Sequence, residues 1–218
     1  VDEKVAKRIL VNFFINADLI GWKKQQRYRD KYGCNVPWTI LLDPTSACNL
    51  HCTGCWAAEY GHRLNLSLDE IDDIIRQGTE LGVYMYIYTG GEPLVRKHDL
   101  ITLCERHPDC IFLTFTNGTL IDEAFADDML RVGNLVPAIS LEGFEKATDG
   151  RRGSGVYDKV IKAMELLRRK KLFFGISSCY TRKNFDSITS EEYFDMLIEK
   201  GAYFIWYFHY MPVGNDAS

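Results

Sequence analysis

The 218-residue sequence predicts an α/β protein in which parallel strands alternate with helices behind an N-terminal helical extension. Three observations predict it. Six short runs rich in apolar and aromatic residues recur after Pro37, and the stretches between them carry helix start and stop signals. Most of the runs are continuous rather than alternating in polarity, as strands covered on both faces require. Hydrophobic residues make up 46% of the chain, and no repeat or Pro/Gly/Ser-rich linker divides it.

The extension comes first. Ile9, Leu10, Phe13, Phe14, Ala17 and Ile20 recur at helical spacing within residues 5–32, followed by Lys23, Lys24, Arg27 and Arg29. Two readings stay open for this segment. It packs its Phe13/Phe14 face on the rest of the protein, or it rests on an anionic membrane surface as a peripheral contact, which would suit a lipid substrate. The strands expected are Trp38–Asp43, Val83–Tyr88, Ile111–Thr116, Val136–Leu141, Leu172–Cys179 and Tyr203–Phe208. Between them, Ser67 with Glu70 and Thr189 with Glu192 read as capping boxes, and Asp122 and Ser154 as single N-caps. Gly82, Gly133 and Gly201 mark helix ends, and the basic run Arg168–Lys171 complements the negative end of a helix dipole. Spacing alone leaves both an open doubly wound sheet and a partial barrel; a full eight-stranded barrel needs about 250 residues. In both, ligands collect at the carboxyl ends of the strands.

Composition narrows the function. Lys and Arg number 26 against 30 Asp and Glu, and this net charge of -4 argues against a nucleic-acid partner. No run approaches the roughly 20 apolar residues of a membrane span, and no secretory leader is visible. The initial Val leads us to expect a trimmed fragment, with a helical extension over 1–35 and a core over 36–218. Seven cysteines, three of them within eight residues, suit metal binding in a reducing cytoplasm better than disulfides.

The chemical signal is Cys48-Asn49-Leu50-His51-Cys52-Thr53-Gly54-Cys55, a C-x3-C-x2-C array just after the first strand. Three close thiolates suit a soft metal centre, and a 4Fe–4S cluster with only three leaves one iron open. A structural zinc site completed by His51 or His62 is the competing reading, as is a non-catalytic electron carrier. Thr89-Gly90-Gly91-Glu92-Pro93 ends the second strand, with glycines for close backbone approach and Glu92 as an acceptor for an ammonium group. Cys104, Cys110 and Cys34 read as simply buried rather than as an auxiliary site, and Tyr84, Tyr86 and Tyr88 as core more than pocket.

These motifs, in order on successive strands, resemble the radical S-adenosylmethionine superfamily over residues 38 to about 212. The resemblance implies a (β/α)6 partial TIM-like barrel. It implies Cys48, Cys52 and Cys55 as ligands of a 4Fe–4S cluster, and Gly90, Gly91, Glu92 and Pro93 as part of the S-adenosylmethionine site. Ser140 and Glu142 resemble the element that meets the ribose, and Thr116-Asn117-Gly118 closes the third strand as in many members. Arg152, or its neighbour Arg151, stands where an arginine pairs with the methionyl carboxylate; two exposed loop charges is the plain alternative. His209 to Pro212 falls near where the adenine pocket closes, and Cys179 at a strand end is the candidate hydrogen-atom donor beside Ser177 and Ser178. One position departs from the pattern. The residue before the third cysteine is often aromatic, but here it is Gly54, which Trp56 would have to replace; a glycine there also resembles the branch that adenosylates hopanoid lipid precursors. The activity implied is reductive cleavage of S-adenosylmethionine to a 5′-deoxyadenosyl radical. It acts on an unidentified small-molecule, lipid or peptide substrate, with electrons from flavodoxin or ferredoxin.

Overall fold

Six parallel strands form one sheet in the order β1-β2-β3-β4-β5-β6. They are β1 (Thr39–Thr45), β2 (Met85–Gly90), β3 (Ile111–Thr116), β4 (Leu135–Ser140), β5 (Gly175–Tyr180) and β6 (Ile205–His209). The computed structural model describes residues 1–55, 57, 61 and 63–212. Because spatial order follows chain order, the sheet has no switch point, and the doubly wound alternative is excluded. The sheet curls into a half-barrel with helices outside, the partial barrel expected.

Side chains alternate along each strand and so divide the core in two. Tyr86, Tyr88, Phe112, Ile139 and Ile176 join the helices in the larger cluster. The intervening Met85, Ile87, Ile111, Leu113, Val136 and Ala138 make a second cluster with Ala17 from the extension. The tyrosines of β2 are therefore core under the helices, and Trp206 and Phe208 of β6 remain partly exposed against Phe115.

The covering helices are α3 (Leu68–Leu81), α4 (Lys97–Arg106), α5 (Glu123–Val132), α7 (Val156–Arg169) and α9 (Glu191–Lys200), with short α6 (Glu145–Arg152) and α8 (Phe185–Ile188) before the last two. The Ser67/Glu70 capping box and the Asp122 cap form as expected, and Gly82, Gly133 and Gly201 each take the left-handed conformation. Two caps differ. Ser190, not Thr189, caps α9 by accepting from the Tyr193 amide, while Thr189 bonds back to the Phe185 carbonyl. Gly155, not Ser154, precedes α7, and Asp149 accepts from the Gly155 and Tyr157 amides in place of a local cap. The basic run ends α7, where Lys170 pairs with Glu123 and Asp127.

The extension is one continuous rod: α1 (Glu3–Leu10), a π-helix (Val11–Gly21) and α2 (Trp22–Tyr32). It crosses the amino-terminal ends of the strands. Asn12 donates to the Pro108 and Cys110 carbonyls, Gln25 to the Gly82 carbonyl, and Arg8 to the Val132 carbonyl. The buried positions Asn12, Ala17, Gly21 and Gln25 include one five-residue step, which the wider π-turn accommodates. Ordinary helical spacing groups Phe13 with Phe14, and their rings do meet edge-on, but only Phe13 goes on to pack against Trp38, while Phe14 is 52% exposed. Asn12→Ala strips the Pro108 carbonyl of its donor, leaves the Cys110 carbonyl to Asn134 alone, and is expected to destabilise the protein by about 1–3 kcal/mol. A urea unfolding midpoint equal to that of the parent would refute this placement.

Candidate functional site

The cysteine loop leaves β1 at the carboxyl end of the sheet. Gly91 N donates to the Thr45 carbonyl, and Glu92 N to the Ala47 carbonyl, so the two segments run against each other. A Cβ on Gly91 would stand 2.2 Å from the Ala47 oxygen, and one on Gly90, at φ +102°, 2.7 Å from the Thr45 oxygen. Both glycines are thus required by the protein's own backbone, a constraint that the sequence reading assigned to a ligand.

Glu92 is 1% exposed and caps the 3-10 turn Pro93–Arg96, where Pro93 takes the first position. Its carboxylate accepts from the Leu94 amide at 2.9 Å, the Thr116 hydroxyl at 2.7 Å and the Asn117 amide at 2.7 Å. Burial pushes its pKa up, and these donors oppose that shift. Within the fold, this carboxylate braces β2 against β3. From there Asn117 bonds to Asn49, which donates to Thr119. The closing turn of β3 therefore holds the residue next to Cys48.

Glu142, also 1% exposed, holds the other side. It accepts from Arg151 Nη1 at 3.2 Å, from Arg152 Nη2 at 2.7 Å and from Arg152 Nε. The two arginines end α6, with side chains 19% and 12% exposed, so the reading as exposed loop charges is wrong. Burial is the largest influence on the Arg152 pKa and lowers it, but Glu142 outweighs that and the net shift is upward. Arg152 Nη1 lies 3.9 Å from Cys52 Sγ, and the Arg151 carbonyl accepts from the Thr53 amide at 2.8 Å. Burial raises the Cys48 and Cys52 pKa values; the Arg152 charge opposes the shift at Cys52. Cys48, Cys52 and Cys55 are free and half-buried; Cys55 acts on Cys48, and both Cys55 and Cys48 act on Cys52, each raising its pKa.

Gly54 has φ +66°, and a Cβ there would stand 2.4 Å from the Tyr210 hydroxyl. The aromatic ring beside the third cysteine thus comes from the segment after β6. Sequence distance concealed it, although Gly54 itself was the clue. The Arg151 guanidinium lies 5.9 Å from the centre of that ring. Trp56 and His62 lie outside the described residues. Ser140 ends β4 in register with Ser177. Ser178 turns outward to the Leu141 carbonyl, and half-buried Cys179 pairs in register with Phe208. A cleft of about 1360 Å3 opens here, lined among others by Thr53, Glu142, Arg151, Tyr180 and Tyr210. Cys104 and Cys110 are buried elsewhere, whereas Cys34, expected to be buried, is exposed just past the end of α2; burial pushes the Cys110 thiol up to about 12.

Residues 42–196 match the Radical SAM superfamily, and the chain belongs to it. An AdoMet-dependent heme synthase of Methanosarcina barkeri is 28% identical over 187 residues, which cover 83% of this chain and 53% of the relative. A GTP 3′,8-cyclase of Syntrophomonas wolfei is 37% identical over 157 residues, 63% of this chain and 45% of that one. Streptococcus suis SuiB, in its crystal structure bound to S-adenosylmethionine, shares the fold with a TM-score of 0.76 at 22% identity, over 89% of this chain and 46% of that one. The chain spans about half the length of the curated relatives it matches.

The donor set fits the superfamily's cluster. The three loop thiols are soft ligands unconsumed by disulfides. Among the described residues no three His, Cys, Asp or Glu side chains gather around one metal ion. A cubane seats each thiolate on its own iron and does not ask them to converge.

Two outcomes follow. Gly54→Ala faces both a left-handed backbone cost of about 1–2 kcal/mol and the Tyr210 ring. Adding Tyr210→Ala removes only the second, so unfolding midpoints of the double variant are expected to recover part of the loss; strict additivity would show that the two residues do not touch. Glu142→Ala leaves two buried guanidiniums without a counter-charge and is expected to cost about 3–5 kcal/mol, read from denaturant unfolding. A loss below 1 kcal/mol, the scale of exposed pairs, would contradict the burial described.

Proposed function

We propose that the chain is the catalytic core of a radical S-adenosylmethionine enzyme, with Cys48, Cys52 and Cys55 holding a 4Fe–4S cluster. The observation that carries this is the cysteine loop itself. Its three free thiols are clamped from one side by Glu92 through Asn117 and from the other by Glu142 through Arg151 and Arg152. When bound, the cluster supplies the low-potential electron that cleaves the sulfonium of S-adenosylmethionine into methionine and a 5′-deoxyadenosyl radical.

The chain's own residues then divide the remaining tasks. Gly90 to Pro93 set the backbone beside the cysteine loop, and Pro93 and Glu92 fix the turn that follows. Ser140 ends β4 and Glu142, two residues on, lines the cleft; in this reading they would meet the ribose, while Arg152 supplies positive charge for the methionyl carboxylate. Arg152 is already engaged by Glu142, so any carboxylate it takes is shared with that pair. Cys179 stands at the β5 end as the candidate hydrogen-atom donor. The substrate is a small molecule or a peptide in this reading. The matched relatives include an AdoMet-dependent heme synthase and a GTP 3′,8-cyclase, and SuiB is also seen bound to the precursor peptide SuiA. A flavodoxin or ferredoxin in the cytoplasm would supply electrons. Residues 1–35 form the extension and residues 36–218 the core.

Anaerobic reconstitution with iron and sulfide tests this reading. The expected result is a brown protein with a 4Fe–4S spectrum that releases 5′-deoxyadenosine from S-adenosylmethionine under dithionite. Cys52→Ala should abolish both. A colourless protein that binds stoichiometric zinc would favour the structural-metal alternative, and a loaded cluster without cleavage would favour a carrier.

A further inference from the structure

The rod formed by residues 3–32 is tied to the barrel along one side only. On the other side Leu10, Val11, Phe14, Ile15, Leu19, Ile20 and Trp22 are 40–58% exposed, an unusual concentration of large apolar side chains on one surface. Lys7, Val11, Ile15, Leu19, Lys23 and Arg27 follow one another at four-residue steps, and every one is exposed. An apolar centre is thus flanked by cations at both ends.

Charge identifies the occupant. Residues 1–32 hold eight Lys and Arg against four Asp and Glu, whereas the whole chain holds 26 against 30. None of those eight cations forms an ion pair among the described residues. Lys4, Arg8 and Lys24 turn to barrel acceptors, Arg29 to the Val36 carbonyl and Lys31 to the Tyr32 ring, which leaves Lys7, Lys23 and Arg27 beside the apolar stripe. Among the described residues no helix is long and apolar enough to cross a membrane. We propose that this rod lies on an anionic lipid surface, its apolar stripe in the headgroup boundary and its flanking cations on lipid phosphates.

The placement has a consequence for the cleft. The rod spans the amino-terminal ends of the strands, while the cysteine loop occupies the carboxyl ends. Membrane contact therefore anchors the protein with its cleft turned away from the bilayer, and does not feed lipid into it. The proposal is independent of the reaction proposed above.

Co-sedimentation of the full-length protein with vesicles is the test. Phosphatidylcholine vesicles containing phosphatidylglycerol are expected to pellet the protein, with roughly tenfold weaker binding to phosphatidylcholine alone and a loss on raising salt to about 0.5 M. The exposed pairs Phe14→Gln/Leu19→Gln and Lys23→Glu/Arg27→Glu should each weaken binding by roughly tenfold without changing the circular dichroism spectrum. Absence of pelleting, or pelleting that both double variants leave unchanged, overturns the proposal. So does a concentration-dependent dimer dispersed by Phe14→Gln/Leu19→Gln, or hydrogen-exchange protection of residues 10–22 in the lipid-free full-length protein. Those results would assign the stripe to a second copy or to another part of the chain.

Discussion

Glu142 is the constraint on which the site rests. A carboxylate 1% exposed must be neutralised where it stands, and among the described residues its ion-pair partners come from the end of α6. Pulling Arg151 and Arg152 inward carries their backbone with them, and the Arg151 carbonyl takes the Thr53 amide in the middle of the cysteine array. The electrostatic demand of one residue at the end of β4 thereby sets the position of a loop that began after β1. Without it the loop would be one more long surface connection, free to fray.

Glu92 meets the same demand with neutral donors. Its three hydrogen bonds span β2, the turn after it and β3, and Asn117 passes the restraint on to Asn49. Two buried acids thus grip the cysteine loop from opposite sides, one through a hydrogen-bond relay and one through an ion pair. The glycines between them serve the same end. Gly90 and Gly91 let the outgoing loop cross β2's end, and Gly54 leaves room for Tyr210. Close approach of backbone to backbone, and of ring to backbone, makes the loop a packed element rather than a tether.

Much of this was legible in the sequence, and the boundary is physical. The alternation of apolar runs with capped helices is local information, so the six strands, the Ser67/Glu70 box and the three glycine stops could be read directly. The cysteine array and the Gly90–Pro93 motif are also local. What eluded the reading was long-range: Arg151 and Arg152 look like surface charge until Glu142 is folded beside them, and Tyr210 lies 156 positions from the glycine it covers. The cap of α7 failed for the same reason, since Asp149 reaches across from another helix. Phe14 was misplaced because a π-helix changes the period on which face assignment depends.

The two ends of the barrel carry different burdens, and the division explains the extension. Six strands close only part of a circle, so both ends of the inner cluster would otherwise meet water. At the amino-terminal end the rod inserts Ala17 among Met85, Ile111 and Val136, and its Asn12 and Gln25 donate to carbonyls just before the strand starts. That end is then covered, with Arg8, Asn12 and Gln25 donating to its carbonyls. The carboxyl end can remain an open cleft whose polar groups are braced by one another and not by a plug. Because all of the rod's tight contacts lie on its barrel side, its outer face is free of structural duty, and an apolar, cationic surface there costs the fold nothing that the inner face does not already supply.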